Sequence, residues 1–247
     1  MLCEDTRCVI GAGFQKTILW GRMMAIVNFK SLRLIIESSP AWKNDTFSRM
    51  ENGLELQSLR RLSLEYLHFT ESFPDILSRL ICRVDGELMF WLVQILHSEL
   101  GNGVEADSHD RLFRRLCLDI GVSKSDLIQG PKLDSTKKFV HSLRELYGKG
   151  PLWQAIGAQF ALEYQADNML RKLRDAYQIL ESDTKAESEG IHFFKVHEDE
   201  EPEHVAAMEK LIAKGLGSES QKADIEQGTM ACVDEFGRFW SGVGNTI

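Results

Sequence analysis

Long segments with helical spacing of apolar residues dominate this chain and constrain its fold more than any other feature. Between Ile26 and Ile36, for example, apolar side chains recur three and four positions apart, and the same spacing returns in most later segments. No stretch shows the sustained alternation of apolar and polar residues that is typical of a half-buried strand. Only 5 prolines and 19 glycines interrupt 247 residues. The pattern therefore predicts an all-α fold.

The helical segments predict a single domain over residues 25–247, a bundle of about eight helices. The expected helices cover 26–36, 51–84 with a break at Pro74, 86–100, 108–120, 134–147, 152–180, 188–214 and 219–239. Because the helix over 86–100 is apolar on most sides, we expect it to be central. Residues 1–24 match no periodic pattern, and we expect them to be a loosely attached leader.

Charge and cysteine content exclude several classes of protein. With 37 acidic and 29 basic residues the net charge is -8, which argues against a nucleic-acid-binding protein. The most apolar run, Leu88 to Leu96, is too short to span a bilayer. The five cysteines are scattered, with no C-x-x-C pair, so a disulfide scaffold or zinc ribbon is disfavoured and a cytoplasmic location is expected.

The segment FFKVHEDEEPEH, residues 193–204, carries the strongest chemical signal. On a helix, His197, Glu201 and His204 stand at i, i+4 and i+7 and point within roughly 60° of one another. Imidazole and carboxylate together suit iron or manganese, and helical bundles build dinuclear sites from inward-facing Glu and His. An acidic run of this kind is also typical of a solvated helix face, so further ligands must come from other segments.

Three other residues qualify as ligands. Glu99 ends an otherwise apolar helix, where a buried carboxylate needs a cation or a hydrogen-bonding partner. His109 opens the next helix after the Gly101–Gly103 turn, which can bring it back toward Glu99. Glu163 lies among apolar residues at helical spacing. Asp167, one turn further on, is expected to accept a hydrogen bond from a ligating histidine.

The order Glu99, His109, Glu163 and then His197-x3-Glu201-x2-His204 resembles the haem-oxygenase-like diiron oxidase and oxygenase family over about residues 25–240. That resemblance implies the helical fold of haem oxygenase and thiaminase-type proteins, with two Fe(II) ions per chain bound in place of haem. The implied metal ligands are Glu99, His109, Glu163, His197, Glu201 and His204.

Two features qualify this ligand set. The family usually has Asp where this chain has Glu201, and the added methylene leaves a mononuclear iron or manganese site open as an alternative. Pro202 follows directly and is expected to kink the ligand helix, because proline removes a helical hydrogen bond.

Glu71 is an additional candidate, since some N-oxygenating members have an extra carboxylate ligand at about this distance before the first one. A helix-capping or surface role for Glu71 is the competing reading.

The resemblance predicts an iron-dependent oxidoreductase that uses O₂ to oxidise a small amino-acid-like, amine-like or fatty-acid-like substrate. Such an enzyme needs an electron donor and has no nucleic-acid or membrane partner, and the family allows a homodimer. N-oxygenation, desaturation and carbon–carbon cleavage all occur on this scaffold, so the ligands do not fix the reaction. The alternative from another class is a non-catalytic helical protein that binds a metal or a partner.

Overall fold

The computed structural model describes residues 27–184 and 191–247, and these residues form helices with no strand. The helices are α1 (Phe29–Glu37), α2 (Asp45–Glu51), α3 (Leu56–Thr70), α4 (Phe73–Ile81), α5 (Gly86–Glu99), α6 (His109–Asp119), α7 (Lys124–Gln129), α8 (Asp134–Lys149), α9 (Leu152–Thr184), α10 (Ile191–Gly215) and α11 (Glu219–Gly244). Two short 3-10 turns, Pro40–Lys43 and Glu105–Asp107, complete the described structure.

The all-α prediction is confirmed; the predicted segment 51–84 is narrower in the structure, where α3 begins at Leu56 and α4 ends at Ile81, and two short helices are new. Helices α2 and α7 were not predicted, because seven and six residues are too few to show a helical period. Each begins at a side-chain cap: Asn44 accepts the backbone N–H of Thr46, and Ser123 accepts that of Asp126. The predicted leader, residues 1–24, lies outside the described residues.

The prediction that α5 is central is wrong. Leu92 and Ile95 are buried, but Phe90 is 53% exposed and Val93 40% exposed. Helix α5 packs against α4 and α10, and no described residues cover its outer face. Apolar residues on most sides of α5 therefore did not imply burial on most sides, although the inner face does carry Glu99 into the bundle.

Helices α9 and α11 approach each other unusually closely. A Cβ atom on Gly157 would lie 2.1 Å from the carbonyl oxygen of Ile225, and one on Gly228 would lie 1.9 Å from that of Gln154. Only glycine permits this approach, which Thr229 reinforces by donating a hydrogen bond from its hydroxyl to the Gly157 carbonyl at 3.1 Å. Since α10 also packs along α9, this contact fixes the helix that carries Glu163 between two long neighbours.

The turn between α5 and α6 reverses the chain as the sequence suggested. Gly101, Asn102 and Gly103 all have positive φ, at 82°, 53° and 89°. A Cβ at Gly101 would lie 2.4 Å from the Val104 carbonyl oxygen, so glycine is needed there. The reversal brings the first residue of α6, His109, next to the last residue of α5, Glu99.

None of the helices in the described ranges is both long enough and apolar enough to cross a membrane.

Candidate metal centre

The six residues predicted as ligands converge in the centre of the bundle. Five of them line one cavity of about 50 Å³: Glu99, His109, Glu163, His197 and Glu201. The sixth, His204, lies beside it, with its Nδ1 3.2 Å from Oε2 of Glu163. Helices α5, α6, α9 and α10 thus bring together residues that are more than a hundred positions apart in sequence.

The α10 residues share a face as their spacing predicted. His197, Glu201 and His204 are all buried, whereas Glu203 on the same helix is exposed. The acidic run therefore has a solvated side and a buried side. Helix α10 continues through Pro202, from Ile191 to Gly215, so the proline does not end the ligand helix.

One half of the site, between α9 and α10, contains buried polar atoms without partners. Glu163, Glu201 and His204 each offer a ligand atom, and these three atoms lie within 4.8 Å of one another. Oε2 of Glu201 and Nε2 of His204 are buried and accept or donate no hydrogen bond among the described residues. Burial, together with the charges of Glu163 and Glu99, raises the pKa of Glu201 well above its ordinary value. Orphaned buried atoms are costly, and a bound cation would satisfy both.

The other half, between α5 and α6, is held by ion pairs, although Nδ1 of His109 forms no hydrogen bond of regular geometry among the described residues. Nδ1 of His109 lies 2.9 Å from Oε2 of Glu99, and its Nε2 lies 3.1 Å from Oε2 of Glu200. Burial alone would lower the pKa of His109, but the carboxylates of Glu99 and Glu200 raise it to about 10. For Glu99 burial alone would raise the pKa, but the charge and hydrogen bond of His109 outweigh burial and lower the pKa to about 2.

His197 is oriented by the backbone of its own helix. Its Nδ1 lies 2.8 Å from the carbonyl oxygen of Phe193, a contact in which Nδ1 must carry the proton and donate it. Burial, with the charge of His109 next to it, lowers the pKa of His197 to about 3. The imidazole is therefore neutral, with an Nε2 lone pair free for a metal, an arrangement typical of metal-ligating histidine.

Sequence reasoning missed two supporting residues. Gln159 is buried one turn before Glu163 on α9; it accepts a hydrogen bond from the hydroxyl of Tyr147 at 2.8 Å and donates one to Oε1 of Glu163. Glu200, which was counted with the solvated run, receives hydrogen bonds from Ser98 and, at 2.8 Å, from Asn102. The i−4 position of Gln159 relative to Glu163 was a usable signal, whereas the role of Glu200 depends on the α5–α6 turn.

Two other predicted residues lie elsewhere. Asp167 was expected to accept a hydrogen bond from a ligating histidine, but it accepts two from Arg171, at 2.9 and 2.6 Å. That expectation is corrected, because the histidines find their acceptors in Phe193, Glu163 and Glu200. Glu71 forms an ion pair with Arg114 and does not line the cavity; its role as an additional ligand stays a prediction.

The remaining cavity wall is mainly apolar and aromatic. The residues are Tyr66, Phe69, Thr70, Phe73, Leu162, Ala166, Met169, Leu170 and Phe236. Burial, and then the charges of Glu201, Glu99 and Glu163, raises the pKa of Tyr66 well above its ordinary value. The phenol therefore stays protonated and offers a hydrogen-bond donor beside three carboxylates.

The donor set fits divalent iron or manganese. Carboxylate oxygens and neutral imidazole nitrogens are the ligands these ions take in helical bundles. Three buried carboxylates, those of Glu99, Glu163 and Glu201, need positive charge nearby. In the α9–α10 half no lysine or arginine among the described residues pairs with Glu163 or Glu201, so metal ions are the natural source of that charge.

Fold and site together describe an all-α protein with a candidate metal centre, and comparison with known proteins identifies its family. The sequence model of a family described as iron-containing redox enzymes matches residues 60–236. This chain belongs to that family. The match includes all six predicted ligands and every helix that carries one of them.

Two characterised relatives are similar over most of the chain. The 4-chloro-allylglycine synthase of Streptantibioticus cattleyicolor is 25% identical over 196 residues, which is 79% of this chain and 74% of that protein. The 4-aminobenzoate synthase of Chlamydia pneumoniae is 26% identical over 219 residues, covering 85% of this chain and 92% of that protein.

Solved structures confirm the haem-oxygenase-like fold. A CADD-like protein of unknown function from Nostoc punctiforme superposes with a TM-score of 0.71 at 16% identity, covering 88% of this chain and 95% of its own. A domain from Shewanella denitrificans, described as having a heme oxygenase-like fold, gives a TM-score of 0.67 at 14% identity, covering 88% of each chain. A TenA homologue from Pyrococcus furiosus gives 0.67 at 15% identity and covers 86% and 98%.

Proposed function

We propose that this iron-containing redox enzyme is a non-haem diiron oxidase or oxygenase. Two Fe(II) ions would be held by Glu99, His109, Glu163, His197, Glu201 and His204. The observation that carries the proposal is the pair of orphaned atoms, Oε2 of Glu201 and Nε2 of His204, inside a buried cluster of three carboxylates. Without a bound ion, both atoms would stay buried without a partner among the described residues.

The bound iron would supply the electrons that convert O₂ into an oxidant, which no amino-acid side chain can do. The chain's own residues have other tasks. Phe193 and Glu163 hold the Nδ1 protons of His197 and His204, which leaves both Nε2 atoms free to act as ligands. In His109 the two nitrogens exchange these roles. Glu200 faces Nε2 and would hold its proton, which leaves Nδ1, on the side of Glu99, free to act as a ligand. The apolar wall limits water around the oxidising centre.

The substrate proposed is a small molecule of the amino-acid class. The names of both relatives denote products that carry an amino group and a carboxylate. The reaction itself, whether N-oxygenation, desaturation or carbon–carbon cleavage, depends on how that molecule is held and not on the ligands. Reduction of the site requires an electron donor, and a cytoplasmic location would provide the reducing conditions.

Iron binding tests the proposal. Anaerobic reconstitution should load about two Fe(II) per chain, the number expected of a dinuclear site, and exposure to air should produce oxygen uptake and new near-ultraviolet to visible absorption. A double variant, His197→Ala with His204→Ala, should bind little iron, since it keeps only carboxylates and His109.

The matched control is His141→Ala, which removes an exposed histidine and should leave iron loading unchanged. Unchanged iron uptake in the double variant would refute the proposed ligands. A wild-type value near one ion per chain would support the mononuclear alternative and direct attention to Glu201.

A further inference from the structure

Three adjoining cavities connect the metal centre to the surface between α9 and α10. The metal cavity, about 50 Å³, shares His197, Glu201 and Leu170 with a narrow neck of about 10 Å³. The neck in turn shares Asp167, Arg171, Glu198 and Glu201 with an open groove of about 670 Å³. Glu201 lines all three, so the proposed ligand with the unusual side chain stands where the groove meets the metal centre.

The volumes indicate where a substrate can lie. A cavity needs ~10–15 Å³ to hold one water, so the metal cavity holds only a few waters and the neck about one. Pockets that hold small-molecule ligands measure ~300–1,000 Å³, and the groove falls within that range. The bulk of a substrate therefore fits the groove, with only one end near the metal.

The groove has a balanced set of charges. Its walls carry three cationic side chains and three carboxylates, apart from Glu201 at its inner end. They form three ion pairs, Arg33 with Glu209, Arg171 with Asp167 and Arg174 with Glu198, so a ligand that contacts them must compete with these pairs. A groove for a simple anion or a simple cation would show an excess of one sign, whereas equal numbers of both signs match a zwitterion.

Arg171 and Asp167 are the charged pair best placed to contact a ligand that enters the neck. Both line the groove and the neck. They bind each other in an exposed i,i+4 pair, with the Arg171 side chain 59% exposed. Exposed pairs of this type contribute little to stability, so a ligand can replace the contact. A guanidinium matches a carboxylate in two-point geometry, and Asp167 can accept from an ammonium group.

We infer that the groove between α9, α10 and α1 binds the head group of a free α-amino acid, with Arg171 on its carboxylate and Asp167 on its ammonium. The side chain of that amino acid lies in the groove, with its end at the neck beside Glu201. The inference rests on the proposed function for the direction of the reacting end, and it assigns the substrate class to a particular surface.

The test uses three probes that differ by one charged group. L-norleucine carries both groups, hexanoate lacks the ammonium, and 1-pentylamine lacks the carboxylate. Isothermal titration of iron-loaded protein under argon should show norleucine binding about tenfold or more tightly than either partial probe, because each lost charge-assisted contact weakens binding. Equal affinity for all three probes, or no measurable binding of norleucine, would overturn the inference.

Variants locate the binding site. Arg171→Gln should weaken norleucine about tenfold and leave pentylamine unchanged, whereas Asp167→Asn should weaken norleucine and pentylamine but not hexanoate. Arg79→Gln is the matched control, because Arg79 forms an i,i+4 pair with Asp75 and neither residue lines the groove, and this variant should bind norleucine as wild type does. Wild-type norleucine affinity in Arg171→Gln would overturn the assignment.

Measuring iron content in each sample separates this inference from the proposed function. If iron loads normally but the variants leave norleucine binding unchanged, the groove assignment fails and the proposed function stands. The same titrations on metal-free protein cover the converse case. Selective norleucine binding by a chain that takes up no iron would contradict the proposed function and leave the groove assignment in place.

Discussion

The two halves of the metal centre solve the same electrostatic problem in different ways. Between α5 and α6, His109 lies between the carboxylates of Glu99 and Glu200, and all three groups are paired. Between α9 and α10, Glu163, Glu201 and His204 stand close together, and one atom each of Glu201 and His204 has no partner. In the first half both carboxylates face His109, whereas in the second His204 pairs with Glu163, which raises the pKa of His204, and Glu201 has no basic partner among the described residues.

This difference indicates where metal binding matters most. A buried carboxylate that already has a charged partner gains less from an added cation than one that has none. The α9–α10 half should therefore dominate metal affinity, and the α5–α6 half should act by orienting its ligands. The following predictions sharpen that contrast, from the largest expected effect to the smallest.

Glu201 is the position at which substitution should matter most. Glu201→Ala should lose one iron, because Glu163 and His204 alone cannot hold an ion in the α9–α10 half. Glu201→Asp should keep or improve iron binding, since aspartate is the residue the family usually has there. Iron per chain after anaerobic desalting measures both variants. Two irons retained by Glu201→Ala would show that the α9–α10 half does not depend on this carboxylate.

Glu200 tests the orienting half. Glu200→Gln keeps the shape of the side chain but removes the charge facing His109, and the loss of such a partner should weaken iron binding by about tenfold to a hundredfold. Glu203→Gln, an exposed carboxylate three residues further along the same helix, is the control. Competition with a chelator gives the affinities. An unchanged affinity in Glu200→Gln would mean that Glu99 alone positions His109.

Gln159 supports the α9–α10 half through its hydrogen bond to Glu163. Gln159→Leu leaves the hydroxyl of Tyr147 and Oε1 of Glu163 without their buried partner, which should lower the free energy of unfolding by about 1–3 kcal/mol. Tyr147→Phe breaks only the outer hydrogen bond and should cost about 1 kcal/mol. Urea unfolding of the metal-free chain measures both. Equal stability of Gln159→Leu and wild type would contradict the hydrogen-bonded chain.

Glu71 should have the smallest effect on metal loading. Its ion pair with Arg114 is partly exposed, with 23% and 35% of the two side chains accessible, and such pairs contribute about 0–1 kcal/mol. Glu71→Ala should keep both irons when reduced. If Glu71 joins the iron during oxygen activation, the absorbance transient after mixing with O₂ should decay faster than in wild type. Equal decay rates in a stopped-flow experiment would remove Glu71 from the mechanism.

Local geometry explains what the sequence could predict. The shared face of His197, Glu201 and His204 follows from the helical repeat alone. The pairing of Glu99 with His109 follows from a chain reversal that the glycines of the α5–α6 turn already indicate in the sequence. Asp167 lies one turn after Glu163 and one turn before Arg171. It was assigned wrongly because this spacing suits a contact near Glu163 and an ion pair with Arg171 equally well. Tertiary packing decided that question.

The role of Glu200 and the exposure of α5 could not be predicted from local sequence, for a related reason. Glu200 is one residue in an acidic run, and only the approach of Ser98 and Asn102 from another helix and its turn selects it. The exposure of Phe90 depends on which helices pack against α5. Both depend on the three-dimensional arrangement of segments that are distant in sequence.

The central claim, a dinuclear iron centre that spans both halves, can be tested directly by anomalous diffraction at the iron edge from anaerobically loaded crystals. We expect two anomalous peaks about 3.5–4 Å apart, one next to Glu163, Glu201 and His204 and the other toward Glu99 and His109. A single peak would contradict the dinuclear centre. Iron bound away from these residues would contradict the site itself.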